Sequence, residues 1–112
     1  MALRIIPNPL FVAPIPFSVA GEEEPTVVEF EFRHKSPEAL KAWVDGFGSR
    51  DTATALGEVV VRWTGGVVDE SGEPVSFSTE NFRRFLAAHG PRSQDLLRGY
   101  IREITESRQK NL

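Results

Sequence analysis

Histidine, cysteine and paired carboxylates are the residues that most often do chemistry, and this chain is poor in all three. It has two histidines, His34 and His89, and no cysteine. His34 stands where an alternating apolar segment ends and His89 stands beside Gly90. An acid–base pair needs a nucleophile or a carboxylate brought to the imidazole, and no spacing nominates one. Without cysteine there is no disulfide, thiolate ligand or thiol nucleophile, and no His-x-x-x-His spacing supplies a transition-metal pair. Glu22-Glu23-Glu24 lacks the alternating Asp/Asn ligands and closing glutamate of a calcium loop and reads as a solvated turn. Gly46-x-Gly48 and Gly65-Gly66 are not followed by Lys-Ser/Thr and read as helix stops rather than phosphate cradles. No cofactor is expected, and the chain reads as a binding module rather than an enzyme.

Binding chemistry is better represented. Trp43, Phe47, Trp63 and Tyr100 are large aromatics on apolar stripes. Core packing is their default role, and one or two at a groove edge would anchor a partner helix or another subunit. Arg98 and Arg102 belong to a basic series with Arg83, Arg84, Arg92, Arg108 and Lys110. Two helices about Gly90-Pro91 raise the alternative of a small DNA-binding regulator. Against that, Asp95, Glu103 and Glu106 are interspersed and the formal charge is -3, where nucleic-acid binders show a basic surplus.

The elements that must position these residues are legible from proline and apolar spacing. The 112 residues suit one domain, 1–112, and the 40% apolar content suits a globular fold. No apolar run approaches the roughly 18 to 20 residues that span a bilayer; the chain reads as cytosolic. Five of the eight prolines precede Thr26 and exclude an interior helix there. Phe11, Ala13, Ile15, Phe17 and Val19 alternate with Val12, Pro14, Pro16 and Ser18, which predicts a half-buried strand. Pro14 and Pro16 lose their amide hydrogens on the same side, which places that strand at a sheet edge. After the turn 21–25, Val28, Phe30 and Phe32 alternate with Glu29, Glu31 and Arg33, predicting a second strand and an antiparallel hairpin over 11–34.

From residue 36 the period changes. Ser36-Pro37-Glu38 is a helix start, followed by Leu40, Trp43, Val44 and Phe47 on one face. A second helix is capped by Asp51 or Thr52 and carries Leu56, Val59, Val60 and Trp63, with a strand as the alternative because Val59-Val60-Val61 is β-branched. Residues 64–77 form a turn-rich connection in which Val67-Val68 and Val75-Ser76-Phe77 could make a short hairpin. Ser78 or Thr79 caps a third helix with Phe82, Phe85 and Leu86 inward. The last helix carries Leu97, Tyr100, Ile101 and Ile104, with Glu106 and Lys110 at i, i+4 and a basic end. The expected class is α+β: an N-terminal antiparallel hairpin, with a possible extra hairpin near 67–77, packed against about four helices.

The order of these features resembles the tail assembly chaperones of long-tailed bacteriophages. The features are the Trp63-Thr64-Gly65 turn; Asp69-Glu70 leading through Gly72-Glu73-Pro74-Val75 to Phe77-Ser78; the Glu80-Asn81-Phe82 start; a break at Pro91; Tyr100-Ile101; and Arg108-x-Lys110-Asn111. Phe30-x-Phe32-Arg33-His34-Lys35 and Ser36-Pro37-Glu38-Ala39-Leu40 look like that family's passage from strand to helix. The resemblance spans roughly 11–111. Gly90-Pro91-Arg92 departs from the tyrosine and proline-glycine more usual at the break. The resemblance implies a chaperone that binds and solubilises the tape measure protein in the host cytoplasm and is absent from the finished particle. It also implies a longer, frameshifted form recruiting the tail tube protein. A chaperone of this kind is expected to self-associate, with neither nucleic acid nor membrane as partner. The client groove would lie between the helices carrying Trp43 and Tyr100. A different phage morphogenesis adaptor or structural protein is the nearest alternative.

Overall fold

Alternation of apolar and polar side chains makes the first two strands and also decides which face is buried. The computed structural model describes residues 2–106, in which β1 (Leu10–Phe17) pairs antiparallel with β2 (Thr26–Arg33) from Leu10↔Arg33 to Phe17↔Thr26. Ala13, Ile15, Phe17, Val28, Phe30 and Phe32 all point inward and are buried. β1 is the sheet edge, as Pro14 and Pro16 predict. His34 N–H donates to Pro9 O at 2.8 Å, so the pairing extends past the strand ends.

Helix α1 (Pro37–Asp45) starts as expected: the Ser36 hydroxyl accepts the Ala39 amide at 3.2 Å and Pro37 occupies the first turn. Leu40 and Trp43 are buried, but Val44 is exposed. The apolar stripe of α1 is therefore narrower than its spacing predicts. Phe47 falls in a 3₁₀ turn, Phe47–Ser49, and is half-buried.

The second expected helix is a six-residue helix, and the rest of that segment is a strand. Helix α2 (Thr52–Gly57) begins at Asp51, whose carboxylate accepts the Thr54 amide at 3.1 Å. The chain then enters β3 (Val60–Gly65), antiparallel to β2, giving a sheet ordered β1-β2-β3. Val59, Val60 and Trp63 therefore do not continue a helical face. β-branched side chains lose χ1 freedom against a helical turn and fit a pleated sheet, where β2 offers an open edge. Gly65 and Gly66 accordingly end a strand rather than a helix, and Gly66 turns the chain with φ +92°.

Residues 67–77 contain a rudimentary hairpin. Val68 bridges Pro74, Val75 N–H donates to Val67 O at 3.0 Å, and Asp69 N–H donates to Glu73 O at 2.9 Å. The Trp63 indole N–H donates to Val75 O at 2.8 Å and fastens this loop to the sheet.

Helix α3 (Thr79–Ala87) is capped by Ser78, whose hydroxyl accepts the Asn81 amide at 3.0 Å, and it buries Phe82 and Leu86. Helix α4 (Pro91–Thr105) follows Gly90-Pro91 and packs on β1. Its deepest residues are Leu96, Gly99 and Tyr100, while Leu97, Ile101 and Ile104 are half-buried. Gly99 is the reason α4 lies so close. A Cβ there would stand 2.7 Å from Ile15 Cδ1 and 3.0 Å from Ile15 Cγ2. The C-terminal end of β1 is tied to the same helix, because Asp95 Oδ2 accepts from both Ser18 N–H (2.9 Å) and Ser18 Oγ (3.1 Å). The expected Glu106–Lys110 pair and the basic end at Arg108 and Lys110 lie outside the described residues.

Candidate partner-binding groove

The expected groove between α1 and α4 begins with two aromatic rings that join those helices. Trp43 and Tyr100 meet edge-to-face with centroids 5.5 Å apart. Each spends its polar atom internally: Trp43 Nε1–H donates to Ala55 O at 3.1 Å and Tyr100 O–H to Arg33 O at 2.7 Å. Burial pushes the Tyr100 phenol up to about 12. These two side chains are interior and set the spacing of the helices rather than offering themselves to a partner.

What α1 and α4 leave open is a cleft of about 550 Å³, with Pro37, Leu40, Val44 and Ile104 as apolar lining. Its rim is polar. Lys35 and His34 stand at one end, and Lys41 pairs with Asp45 at 2.9 Å along the side. His34 and Ile104 also line a second depression, of about 350 Å³, that reaches Pro7, Leu10 and Phe11 at the root of the N-terminal segment.

Arg98 and Arg102 lie elsewhere on α4, with Leu97 and Ile101, along a trough of about 560 Å³. Arg98 sits 3.6 Å from Asp95. Phe47 packs edge-to-face on Trp43 at 5.3 Å. Trp63 is separate from all of these. It lies on β3, at the opposite edge of the sheet from β1, buried against Phe30, Phe77 and Phe85. The structure thus brings Trp43, Phe47 and Tyr100 together and leaves Trp63 apart. The groove residues proper, Leu40, Val44 and Ile104, carry no aromatic signature; their only sequence signal was membership of apolar stripes, of which Leu40 is buried and Val44 and Ile104 are not.

The remaining basic residues are largely occupied within the fold. Arg83 donates to Asp51 Oδ2 at 3.0 Å and to Thr54 Oγ1 at 2.9 Å, fastening α3 to α2. Thr54, through its hydroxyl and amide, and then Arg83 hold the Asp51 carboxyl below its usual range. Arg92 lies 4.6 Å over the Phe85 ring and donates to Phe85 O at 3.0 Å. Among the described residues no group of three or more His, Cys, Asp or Glu could hold a metal ion, and no helix is long and apolar enough to cross a membrane.

The cleft is thus apolar with a polar rim, and among the described residues Arg83 and Arg92 are taken up by contacts within the fold. A family model described as phage tail assembly chaperone matches residues 1–111. The chain belongs to that family. No curated protein and no solved structure matches it.

Proposed function

We propose that the chain binds the tape measure protein of its phage and keeps that long helical client soluble during tail morphogenesis, without catalysing a reaction. The observation that carries this reading is the open cleft between α1 and α4, lined by Leu40, Val44 and Ile104. A helix docks in such a groove through side chains at i, i+3, i+4 and i+7, and the lysines and aspartate at the rim favour register over affinity. Several copies along one client would add weak contacts into durable coverage. The reading places the chain in the cytoplasm of the infected host and outside the finished particle. It also allows a frameshift-extended form to bring the tail tube protein to the same client.

Co-expression with the tape measure protein tests it, scored by client solubility and co-purification. The wild-type chain should hold the client in solution, and Val44→Asp or Ile104→Asp should weaken capture by about tenfold or more while leaving the circular dichroism spectrum unchanged. A client that stays insoluble beside folded chain argues against the reading. Recovery of the chain in purified particles would favour a structural adaptor instead.

A further inference from the structure

The exposed apolar surface is concentrated away from the groove. Leu3, Ile5 and Ile6 are 100%, 99% and 75% exposed on an arm, residues 2–9, that precedes β1. Leu10 and Val12 continue that surface along the outer row of β1, where Pro14 follows, and Val27 adjoins it on β2. An exposed apolar arm running directly into an exposed apolar strand row marks an interaction site rather than scattered surface residues.

We propose that a second copy of this chain covers this surface, with the two β1 strands antiparallel about a two-fold axis. This rests on the reading above, in which several copies cover one client, and it makes no use of the α1–α4 groove. Charge complementarity selects a second copy as the occupant. Arg4 is the sole charged side chain before Glu22, and it donates to a neutral group, Asn8 Oδ1. At the other end of β1, Glu22, Glu23 and Glu24 are exposed, and no cation pairs with them among the described residues. Arg4 precedes Leu10 by six residues and Glu23 follows Phe17 by six. A two-fold contact is self-complementary, so the start of one β1 meets the end of the other. The arm of each copy then lies over the hairpin turn of its partner, Arg4 beside the three glutamates. The arm reaches far enough: residues 2–9, if extended, span about 26 Å, as β1 does.

Edge-to-edge strand addition does not explain the surface. Pro14 and Pro16 lack amide hydrogens and sit on the free edge of β1, so no continuous ladder forms there. The contact is through the outer face and the arm, with Glu29 and Glu31 of β2 left at its rim. A client helix has no reason to need a cationic arm at one end of β1 and an acidic turn at the other; a second copy needs both.

The experiment uses the full chain at about 100 μM, a concentration that populates complexes of ordinary affinity. Sedimentation should show a dimer or a multiple of it. Ile5→Asp and Arg4→Glu should each raise the dissociation constant by about tenfold or more, and Arg4→Glu combined with Glu23→Arg should restore it. Because the chain has no cysteine, Ile5→Cys and Glu23→Cys copies can be mixed with a bis-maleimide. Heterodimeric cross-links in the mixture, in excess over either variant alone, support the geometry. A monomeric wild-type chain overturns the proposal, as does a dimer indifferent to all three substitutions. If the arm variants are monomeric like the wild type but lose client capture, the surface belongs to the client; the proposal then fails while the chaperone reading stands.

Discussion

The two faces of the one sheet behave as if they belonged to different proteins. On the inner face Ile15, Phe30 and Phe32 have no exposed area at all, and α4 approaches closely enough for Gly99 to touch Ile15. On the outer face, one residue along the same strands, Val12 is 53% exposed and Val27 54%. The side chains are equally apolar, so composition does not make the difference. The inner face is apolar on every strand and is covered by helices, whereas the outer face is apolar along β1 and at Val27 but acidic at Glu29 and Glu31 of β2. A half-apolar face with no helix over it holds no fold together. Its residues are available for association, and what they contribute should show in binding rather than in unfolding.

Substitutions sharpen that contrast. Phe30→Ala, in the centre of the inner face, should cost about 3–5 kcal/mol, measured by urea unfolding. A loss within about 0.5 kcal/mol, as for an exposed surface position, would show that the helices do not seal the sheet. Gly99→Ala comes next. Its Cβ must displace Ile15 from a fully buried position, at a cost of about 1–3 kcal/mol, and Gly99→Ala combined with Ile15→Val should recover part of it. Tyr100→Phe strands the Arg33 carbonyl and should cost about 1–2 kcal/mol.

The pH dependence of that tyrosine has a definite sign. Its phenol is raised from 10.0 to about 12 in the fold, so the neutral form is the one favoured by folding. The contribution is complete below pH 10 and is lost as pH rises toward 12. Tyr100→Phe should flatten this alkaline limb, and an unchanged limb would place the titration elsewhere. The smallest effect is expected outside. Val12→Thr should change unfolding by within about 0.5 kcal/mol, and a larger loss would mean the outer face is already sealed in the monomer.

Much of this arrangement was legible in the sequence, for identifiable reasons. Strict alternation from Phe11 to Phe17 and from Val28 to Phe32 admits only a strand, and Pro14 with Pro16 admits only an edge. Ser36-Pro37 and Ser78 marked two helix starts because a hydroxyl cap and a proline at the first turn have few other uses. The stretch from Val59 to Trp63 was harder, because its apolar spacing suits a helical face as well as a bulged strand. β2 decided it by offering an edge whose paired residues lie 28 or more positions away in the chain, which no local window contains. The candidate site divided the same way. The α1–α4 pairing could be anticipated from Trp43 and Tyr100, yet those rings went to the core. Exposure at Val44 and Ile104 depends on how far apart the helices settle.

The closeness of Gly99 to Ile15 also bears on synthesis. The chain leaves the ribosome from its N-terminus, and domains tend to fold as they emerge. The β1–β2 hairpin closes across a short turn and forms early, but the helix that covers β1 comes some eighty residues after it. Until α4 arrives, β1 waits in the cell with both its faces wet. Pro14 and Pro16 then protect the nascent strand from pairing with a neighbour on the same polysome.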